Sequence, residues 1–410
     1  MVTEADVLVV GGGPAGAATA YHLARHGVDV LVADRASFPR EKVCGDGLTP
    51  RGVRALQALG VGPLQTPGFT LVKGLRVHGP GVRLDLPWPE LSSFPRYGVV
   101  STRHDLDHLL LRQAEGAGAR VWEGAEAHAP VLDGAWVTGA RVKRNGTSEE
   151  VRARFVIACD GASSRFASRA GVRRDPRRPL GIAARRYFRS PRADTTFLES
   201  WLDLWDERRL MAGYGWIFPV GGGVVNVGAG LLSSYVRFDA WNARRVYELF
   251  LRNVGQEWGL DESSALGPVL SGPLPMGMNR RPLSLPGLLV VGDAGGIINP
   301  FNGEGIAYAM ESGELAAELV HDALARGKPG VAHVYPAVLR QRYGRYFSAG
   351  RGFVRAIGNP TVMRLATRLG LPRERVMRFA LRVLVNLTDG GDGDAQDRVM
   401  NALVRMSPER

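Results

Sequence analysis

The sequence predicts an α/β fold built on a parallel sheet, with an inserted antiparallel-sheet domain and a helical C-terminal region. Three observations lead to this prediction: an opening strand-helix-strand unit, further short apolar runs along the chain, and a long middle stretch rich in Trp and turn residues. A chain of 410 residues with 45% hydrophobic and 22% charged side chains can bury such a core. The composition therefore excludes a largely disordered protein and a single small module.

The opening unit starts with a nearly unbroken apolar run at 5–10, which is typical of a buried parallel strand. A helix is predicted at 14–26, because apolar residues recur at helical spacing and Gly27 follows as a stop. The second strand, at 28–33, ends at Asp34 and completes a β-α-β unit of the usual length.

The remaining elements are predicted from the same patterns. Short apolar runs indicate buried strands at 119–122, 155–159 and 288–291, and helical spacing indicates helices at 105–115, 305–325 and over much of 335–388. Turn-broken alternation from about 171 to 286 favours antiparallel strands. The predicted division is a discontinuous nucleotide-binding domain (1–75, 100–170 and 287–334), a substrate domain (76–99 and 171–286) and a helical region (335–410), in which a flexible linker at 388–394 precedes a short last helix.

Cysteine usage and hydropathy limit the class of protein. Cys44 and Cys159 cannot form a disulfide framework and lack the spacing of a metal site, so we expect a cytoplasmic location and no bound metal. No apolar run reaches the roughly eighteen residues that a spanning helix needs, and no basic segment precedes the first strand. We therefore expect neither secretion nor insertion across a membrane.

The net charge of +12 is concentrated near the C-terminal end, where eleven Arg between 335 and 388 accompany one acid, Glu374. Arg supplies 48 of the 52 basic residues, so the positive net charge reflects a general bias of this sequence toward Arg. A charge of that origin is not evidence for a particular partner, and no nucleic-acid partner is expected. One segment has the pattern of a helix lying in an anionic membrane interface, which would place the protein at the inner face of the cell membrane. A helix packed on the catalytic domain would show the same pattern. The residues of this segment are Arg375, Arg378 and Arg382, beside Val376, Phe379, Val383 and Leu387.

A glycine-rich turn, Gly11-x-Gly13-x-x-Gly16, predicts a dinucleotide site. The pattern alone is weak in a chain with 53 glycines, but here it lies between a strand and a helix, with Asp34 about twenty residues on. In that context the helix N-terminus binds a pyrophosphate and Asp34 accepts the ribose hydroxyls. Both NAD and FAD satisfy this motif. The candidate residues are Gly11, Gly13, Pro14, Ala15, Gly16, Asp34 and Arg35.

Two later motifs each follow a predicted buried strand: Asp160-Gly161, and a segment from Gly292-Asp293 to Gly303-Glu304-Gly305. Together with the glycine-rich turn at 11–16, these motifs have the order and the separations of the motifs in the glutathione-reductase-like FAD fold. The resemblance is to the branch of that fold that contains aromatic hydroxylases, flavin halogenases and geranylgeranyl reductases. The resemblance implies FAD, with Asp293 at the ribityl chain and a helix dipole at the isoalloxazine ring. The residues implied are Asp160, Gly292, Asp293, Pro300, Gly303, Gly305 and Ile306.

Two segments narrow the resemblance to the geranylgeranyl reductase family, over roughly residues 1 to 350. Pro39-Arg-Glu-Lys-Val-Cys44-Gly45-Asp46-Gly47-Leu48-Thr-Pro-Arg51 is similar to the family signature, and Tyr214-Gly-Trp216-Ile-Phe218-Pro219 to its aromatic motif. Met211 departs from the family, which often has Pro there. The likeness is greatest to the menaquinone reductases, which implies FAD-dependent saturation of a double bond in an isoprenyl tail. It also implies further contacts, to the cofactor from Cys44, Gly45 and Arg103 and to the substrate from Gly47, Leu48, Tyr214, Trp216 and Phe218.

Reduction of an isolated alkene needs a hydride and a positioned acid. Cys44 and Asp46 are the candidate acids near the flavin, with Tyr214 and Glu304 behind them, and the sequence does not rank them. The residues alone also fit plainer structures: a simple turn with an inert Cys44, an ordinary aromatic core, and a surface Arg103. Because no second complete nucleotide-binding unit is present, the electron donor stays open between NAD(P)H and a small redox protein.

Three other functions remain open. One is a reductase of geranylgeranyl diphosphate or another prenyl lipid. Another is a flavin monooxygenase or halogenase, although the halogenase signature Trp-x-Trp-x-Ile-Pro is absent. The third is a non-catalytic prenyl-lipid carrier, which would be free to lose its flavin glycines, and the glycines present here favour an enzyme. Chain length, the double bond reduced and the oligomeric state are not determined by the sequence.

Overall fold

The structure is a computed structural model that describes residues 2–389 and 393–406, with the side chains of 395 and 403–406 left undescribed. The strands of the first part of the chain are β1 (Val2–Val10), β2 (Val30–Ala33), β3 (Gly47–Leu48), β4 (Thr70–Val72), β5 (Gly74–Gly79), β6 (Val82–Pro87), β7 (Gly98–Val100), β8 (Arg120–Trp122), β9 (Glu126–Asp133), β10 (Trp136–Arg144) and β11 (Thr147–Ala158). Those that follow are β12 (Arg173–Arg174), β13 (Leu180–Arg189), β14 (Phe197–Trp201), β15 (Trp205–Asp206), β16 (Arg209–Leu210), β17 (Gly213–Gly221), β18 (Val224–Leu232), β19 (Ala265–Pro275), β20 (Arg280–Arg281), β21 (Ser284–Leu285) and β22 (Leu288–Val290). The α-helices are α1 (Pro14–Arg25), α2 (Pro50–Ala58), α3 (Arg103–Gly116), α4 (Arg165–Arg169), α5 (Ala243–Trp258), α6 (Ile306–Ala325), α7 (Tyr335–Leu339), α8 (Arg345–Ile357), α9 (Pro360–Gly370), α10 (Glu374–Leu384) and α11 (Ala395–Met406).

The first sheet has the order β21-β22-β11-β1-β2-β8, and β9 and β10 extend it antiparallel from β11. Strands β22, β11, β1, β2 and β8 run parallel, which confirms the predicted α/β fold. The helices α1, α3 and α6 pack together on one face of the sheet. Since parallel strands end at one edge, the turns after β1, β11 and β22 lie together there, as the three motifs require.

Most predicted strand and helix bounds agree with the structure to within a few residues. The exception is β11, which begins at Thr147 and not near 155, because its first half pairs with β10 at the surface and alternates between exposed and buried residues. The apolar run marked only the buried end of that strand.

The second sheet has the order β19-β13-β18-β17-β14-β5-β6 and is antiparallel except between β14 and β5. It contains the predicted inserted strands, and β5 begins at Gly74. The predicted stretch of strands also holds a 16-residue helix, α5, which the sequence prediction missed. Asn242 caps α5 by accepting a hydrogen bond from the backbone N–H of Arg245, and Gly259 ends it in a left-handed conformation. The helix covers the far face of the sheet, with Val246, Tyr247 and Phe250 in the core.

The C-terminal region is helical, as predicted, and α8, α9 and α10 cover the space beside the second sheet. Part of the predicted linker, residues 390–392, lies outside the described residues. The predicted membrane-facing pattern is wrong at Arg382 and Leu387, which are buried, and Phe379 and Val383 pack partly buried against the core. Arg382 is buried, and its guanidinium pairs with Asp394 at 2.7 Å and Asp397 at 3.2 Å, because these acids fold back over α10.

Among the described residues, no helix combines the length and the apolar character that a membrane span needs.

Candidate active site

A cavity of about 730 Å³ joins the edge of the parallel sheet to the face of the second sheet and to α8, α9 and α10. At one end it is lined by the turn after β1 and by Asp34 and Arg165. At the other end the lining is apolar and includes Met363, Leu371 and Met377. This volume is typical of small-molecule and cofactor sites.

The turn between β1 and α1 closes tightly. Gly11 has φ of +102°, and a Cβ at Gly16 would lie 1.8 Å from the Gly11 carbonyl oxygen, so neither position accepts a side chain. The Asp34 carboxylate accepts hydrogen bonds from the backbone N–H of Gly12 at 2.7 Å and Ala36 at 2.8 Å. These bonds hold Asp34 beside the turn, on the wall of the cavity.

Cationic side chains surround the N-terminus of α1. Arg103 is buried, and its guanidinium binds Asp107 at 2.6 Å, while Arg40 binds the same carboxylate at 2.9 Å. A Cβ at Gly13 would come no closer than 3.4 Å to any atom, and the atoms nearest to it belong to Arg40, Asp107 and Arg103. Arg103 is therefore not a surface side chain. The open Gly13 position, the α1 N-terminus and these guanidinium groups form a cradle that fits a pyrophosphate.

Lys42 is a further cation on this wall, and it was not singled out as a site residue from the sequence. Its ammonium lies 3.1 Å from the Cβ position of Gly161. Burial lowers the pKa of Lys42, and the negative charge of Asp293 opposes that shift. Lys42 and Arg40 both lie in the segment that resembles the family signature, and this position was the only signal for them.

The predicted flavin-end residues come together at the N-terminus of α6. Asp293, Pro300, Gly303, Gly305 and Ile306 line the cavity, and the Asp293 carboxylate lies 3.1 Å from the Cβ position of Gly305. No hydrogen bond to that carboxylate is formed by the described residues, so both of its oxygens are open to a ligand's hydroxyl groups.

Asp160 also lines the cavity, but its carboxylate is already engaged. It accepts hydrogen bonds from the backbone N–H of Phe166 at 2.7 Å and from the Ser164 hydroxyl at 3.1 Å. The side chain therefore caps α4, and a cofactor contact at this position would come from the backbone.

The predicted aromatic row lies on one wall of the cavity. Tyr214, Trp216 and Phe218 all line it, with ring centroids 5.8 Å and 6.3 Å apart along the row. The loop at Gly45 lies flat on this row, because a Cβ at Gly45 would be 3.2 Å from the Phe218 ring and 3.3 Å from Trp216 Nε1. The two segments of the family resemblance are thus in direct contact.

Cys44 and Tyr214 are the two candidate acids that line the cavity. Burial raises the pKa of the Cys44 thiol, and the nearby Arg103 guanidinium opposes this shift. Burial also raises the pKa of Tyr214, and Cys44 and Glu304 add to that shift. The Tyr214 hydroxyl donates to the Asn302 carbonyl oxygen at 3.0 Å, so its proton is engaged. Both groups are held protonated at neutral pH, and Cys44 is the better placed to donate.

Asp46 lies behind this wall and not on it. It is fully buried, and its carboxylate accepts hydrogen bonds from the Tyr187 hydroxyl at 2.6 Å and the Asn226 amide at 2.7 Å. Asn226 also donates to the Cys44 carbonyl oxygen at 2.9 Å and accepts from Trp216 Nε1 at 3.0 Å. Burial raises the pKa of Asp46 to about 6. Its position is that of a residue that orients the Cys44 loop against the aromatic row.

Several other predicted site residues do not reach the cavity. Leu48 packs in the core, and Gly47 is covered by Phe218, so neither lines the cavity wall on which the predicted substrate contacts would lie. Gly16 and Gly292 serve close packing, since a Cβ at Gly292 would lie 2.8 Å from that of Ala15.

The sequence prediction also missed the apolar lining from the C-terminal helices, because amphipathic spacing does not specify which surface a helix covers. That lining includes Phe353, Ile357, Met363, Leu371, Met377 and Leu384.

Comparison with known proteins agrees with this geometry. Residues 4–216 match the FAD binding domain family. A menaquinone reductase of Mycobacterium tuberculosis is 38% identical over 397 residues, which cover 97% of this chain and 94% of that protein. A digeranylgeranylglycerophospholipid reductase of Thermoplasma acidophilum is 30% identical over 344 residues, covering 83% and 84% of the two chains. The chain belongs to the geranylgeranyl reductase family of FAD-dependent oxidoreductases. A crystal structure of a geranylgeranyl bacteriochlorophyll reductase-like protein of Thermoplasma acidophilum shares the fold, with a TM-score of 0.81, 24% identity and coverage of 98% of this chain and 100% of that one.

The residues of this geranylgeranyl reductase family member fit FAD. The Gly13 cradle with its guanidinium groups suits the pyrophosphate, and Asp34 is placed for a ribose. The open carboxylate of Asp293 suits ribityl hydroxyls, and the α6 N-terminus suits a reduced, negatively charged isoalloxazine. The whole cofactor can thus lie along one continuous cavity.

Replacing Asp293 by Ala is expected to weaken FAD binding about tenfold or more, because the ribityl hydroxyls lose charged acceptors. Flavin absorbance per protein after dialysis measures this loss. Asp322→Ala, at an exposed ion pair on the far end of α6, is the matched control. Full flavin occupancy in a normally folded Asp293→Ala variant would contradict the assignment of this residue.

Glu304 lies beside the cavity and accepts a hydrogen bond from the Thr49 hydroxyl at 2.8 Å, while its second oxygen is buried without a partner in the described structure. Burial raises the pKa of Glu304 to about 7, against the opposing effect of that hydrogen bond. Between the ordinary carboxyl pKa and this value, the folded protein holds a proton that the unfolded chain releases. The free energy of unfolding therefore falls as pH rises through this range.

Glu304→Gln is expected to remove this dependence. Relative to the wild type, the variant should gain up to about 3 kcal/mol of unfolding free energy between pH ~4.5 and pH ~8. Urea unfolding at a series of pH values measures the difference, and Glu90→Gln, at an exposed ion pair with Arg96, is the control. Parallel pH profiles for wild type and Glu304→Gln would show that this carboxyl does not retain a proton on folding.

Proposed function

We propose that this protein reduces an isolated double bond in a polyprenyl chain, with the isoprenyl tail of a menaquinone as its substrate. The observation that carries the proposal is the placement of the protonated Cys44 thiol on an apolar wall continuous with the FAD site. The menaquinone reductase relative, which aligns over 97% of this chain, supports the choice of tail.

When bound and reduced, FAD supplies the hydride. The aromatic row of Tyr214, Trp216 and Phe218 holds the prenyl chain in the apolar part of the cavity and excludes water. Cys44 gives its thiol proton to one alkene carbon while the other carbon receives the hydride, and solvent reprotonates the thiolate. Asp46, through Asn226, keeps the Cys44 loop against Trp216. The role of Asp46 is positioning, and those of Cys44 and Tyr214 are acid catalysis and substrate contact.

The proposal is tested by anaerobic turnover of the dithionite-reduced holoprotein with three compounds in turn: a menaquinone, geranylgeranyl diphosphate and an aromatic acid. The expected result is a product that, after its quinone ring has been reoxidised in air, is still heavier than menaquinone by two hydrogens, which lie in the tail. A product heavier by one oxygen after air is admitted would indicate a monooxygenase. Tight binding of the prenyl compounds with no mass change would indicate a carrier.

A prenyl-lipid reductase is the second candidate function, and the relative named digeranylgeranylglycerophospholipid reductase favours it. Products of geranylgeranyl diphosphate or an archaeal-type lipid that are heavier by two hydrogens, formed at higher kcat/KM than those of menaquinone, would select this function.

The electron donor is proposed to be NAD(P)H or a small redox protein. Anaerobic bleaching of the flavin absorbance by each of them distinguishes the two.

A menaquinone or prenyl-lipid substrate resides in a bilayer. The proposed function therefore includes peripheral contact with an anionic membrane surface, on the cytoplasmic side.

A further inference from the structure

Helix α9 and the start of α10 carry an exposed apolar row. Of the eleven large aliphatic side chains that are strongly exposed in the described part of the chain, four fall between residues 362 and 376. Val362, Leu365 and Leu369 recur at helical spacing on α9, with exposed fractions of 41%, 56% and 48%, and Val376 on α10 is 48% exposed. We call these four residues the apolar row. A concentration of exposed large apolar side chains is typical of an interaction surface.

Positive charge accompanies the apolar row. Residues 361–379 include Arg364, Arg368, Arg373, Arg375 and Arg378, with Glu374 as the only acid. Glu374 pairs with Arg378 on the same helix. Among the described residues, no hydrogen bond or ion pair engages the exposed side chains of Arg368 and Arg375. Apolar side chains beside unneutralised Arg suit an anionic bilayer surface better than an apolar protein partner.

The apolar row lies at the mouth of the cavity. The opposite side of α9 contributes Met363, Thr367 and Gly370 to the cavity lining. Ala366 and Val376 are both exposed and part of that lining, so the cavity opens to the surface between α9 and α10. The cofactor end opens elsewhere, at Arg35 and Arg165. A long apolar chain could thus pass from a bilayer into the cavity without crossing water.

We propose that the apolar row and its flanking Arg form a membrane-docking surface that places the cavity mouth in the interface of an anionic phospholipid bilayer. Only the identity of the molecule that passes through the mouth rests on the proposed function. The pairing of the buried Arg382 with Asp394 and Asp397 holds α10 in this arrangement and leaves Arg368 and Arg375 for lipid headgroups.

Vesicle sedimentation of the holoprotein tests the proposal. Wild type should bind vesicles of phosphatidylglycerol and phosphatidylcholine at low salt, and should release at high salt or with phosphatidylcholine alone. Leu365→Asp should weaken binding roughly tenfold, because a charge replaces an inserted side chain. Leu132→Asp is the matched control, since Leu132 is 58% exposed and lies on β9 of the other sheet. It should bind as wild type.

A second pair of variants tests the electrostatic part. Arg368→Gln with Arg375→Gln should weaken binding and reduce its salt dependence, whereas Arg152→Gln with Arg154→Gln, which lowers the net charge equally on β11, should not. Wild type that stays in the supernatant at low salt, or Leu365→Asp that binds as tightly as Leu132→Asp, would overturn the proposal.

Turnover separates this proposal from the proposed function. Leu365→Asp should reduce a buffer-soluble, short-chain prenylated naphthoquinone at the wild-type rate, and a vesicle-borne long-chain menaquinone about tenfold more slowly. Absence of prenyl reduction in wild type would reject the function while the sedimentation results still decide the docking surface.

Discussion

Replacing Cys44 by Ala is expected to slow alkene reduction about a hundredfold or more, the usual scale for loss of a general acid, while FAD stays bound and is reduced at the normal rate. The physical reason is that an isolated alkene accepts a hydride only as its neighbouring carbon is protonated. Cys44 is the cavity-lining acid whose proton is not committed to a carbonyl group, whereas the Tyr214 proton is donated to Asn302. Stopped-flow absorbance separates the two half-reactions in one experiment.

The control for this variant is Cys159→Ala. Cys159 also lines the cavity, but it lies beside the turn after β1, at the cofactor end. Its replacement should leave the alkene step within a few-fold of wild type. If Cys44→Ala turned over normally and Tyr214→Phe were slow, the proton donor would be Tyr214 and the assignment of Cys44 would be wrong.

Replacing Gly16 by Ala is expected to abolish stable FAD binding and to lower the free energy of unfolding by about 3 kcal/mol or more. The added Cβ would lie 1.8 Å from the Gly11 carbonyl oxygen and 3.1 Å from the Val9 side chain, so the backbone of the turn must move. That movement displaces the N–H groups at the start of α1 from the pyrophosphate position. Thermal unfolding and bound flavin per protein measure the two effects.

Gly116→Ala is the matched control for this substitution, because a Cβ at Gly116, in the last turn of α3, meets no atom within 4 Å. It should be neutral or slightly stabilising. Normal flavin content in Gly16→Ala would show that the close approach at this turn is not needed for the cofactor.

The nucleotide-binding part of the fold could be predicted from the sequence because its signals are local. Apolar runs mark the buried end of β1 and all of β2 and β22, and glycines mark the turns after β1 and β22, while Asp34 marks the end of β2. Helix α5 was missed because its amphipathic spacing lies among strands, where alternation and turn residues dominate the pattern. Only its Asn242 cap and Gly259 stop gave a local signal.

The side chains of the site were predicted less completely, because their roles depend on contacts between distant segments. Asp46 is only two residues from Cys44 in sequence, yet Asn226 and Tyr187, which come from the second sheet, hold its carboxylate behind the cavity wall. Arg382 belongs to the same helical repeat as Arg375 and Arg378. It nevertheless faces inward, because its guanidinium pairs with Asp394 and Asp397. Neither set of contacts is predicted by a periodic pattern in the sequence.

In the proposed reaction, the prenyl tail and not the quinone ring receives the hydride. This distinction matters because a naphthoquinone ring is itself a two-electron acceptor. The direct measurement is a single turnover: reduced holoprotein is mixed anaerobically with menaquinone or with its analogue bearing a fully saturated tail, and flavin reoxidation is followed with product analysis. We expect one dihydro-tail product for each flavin reoxidised with menaquinone, and no comparable reoxidation with the saturated analogue. Equal reoxidation by both compounds, with quinol as the product, would contradict the proposed reaction.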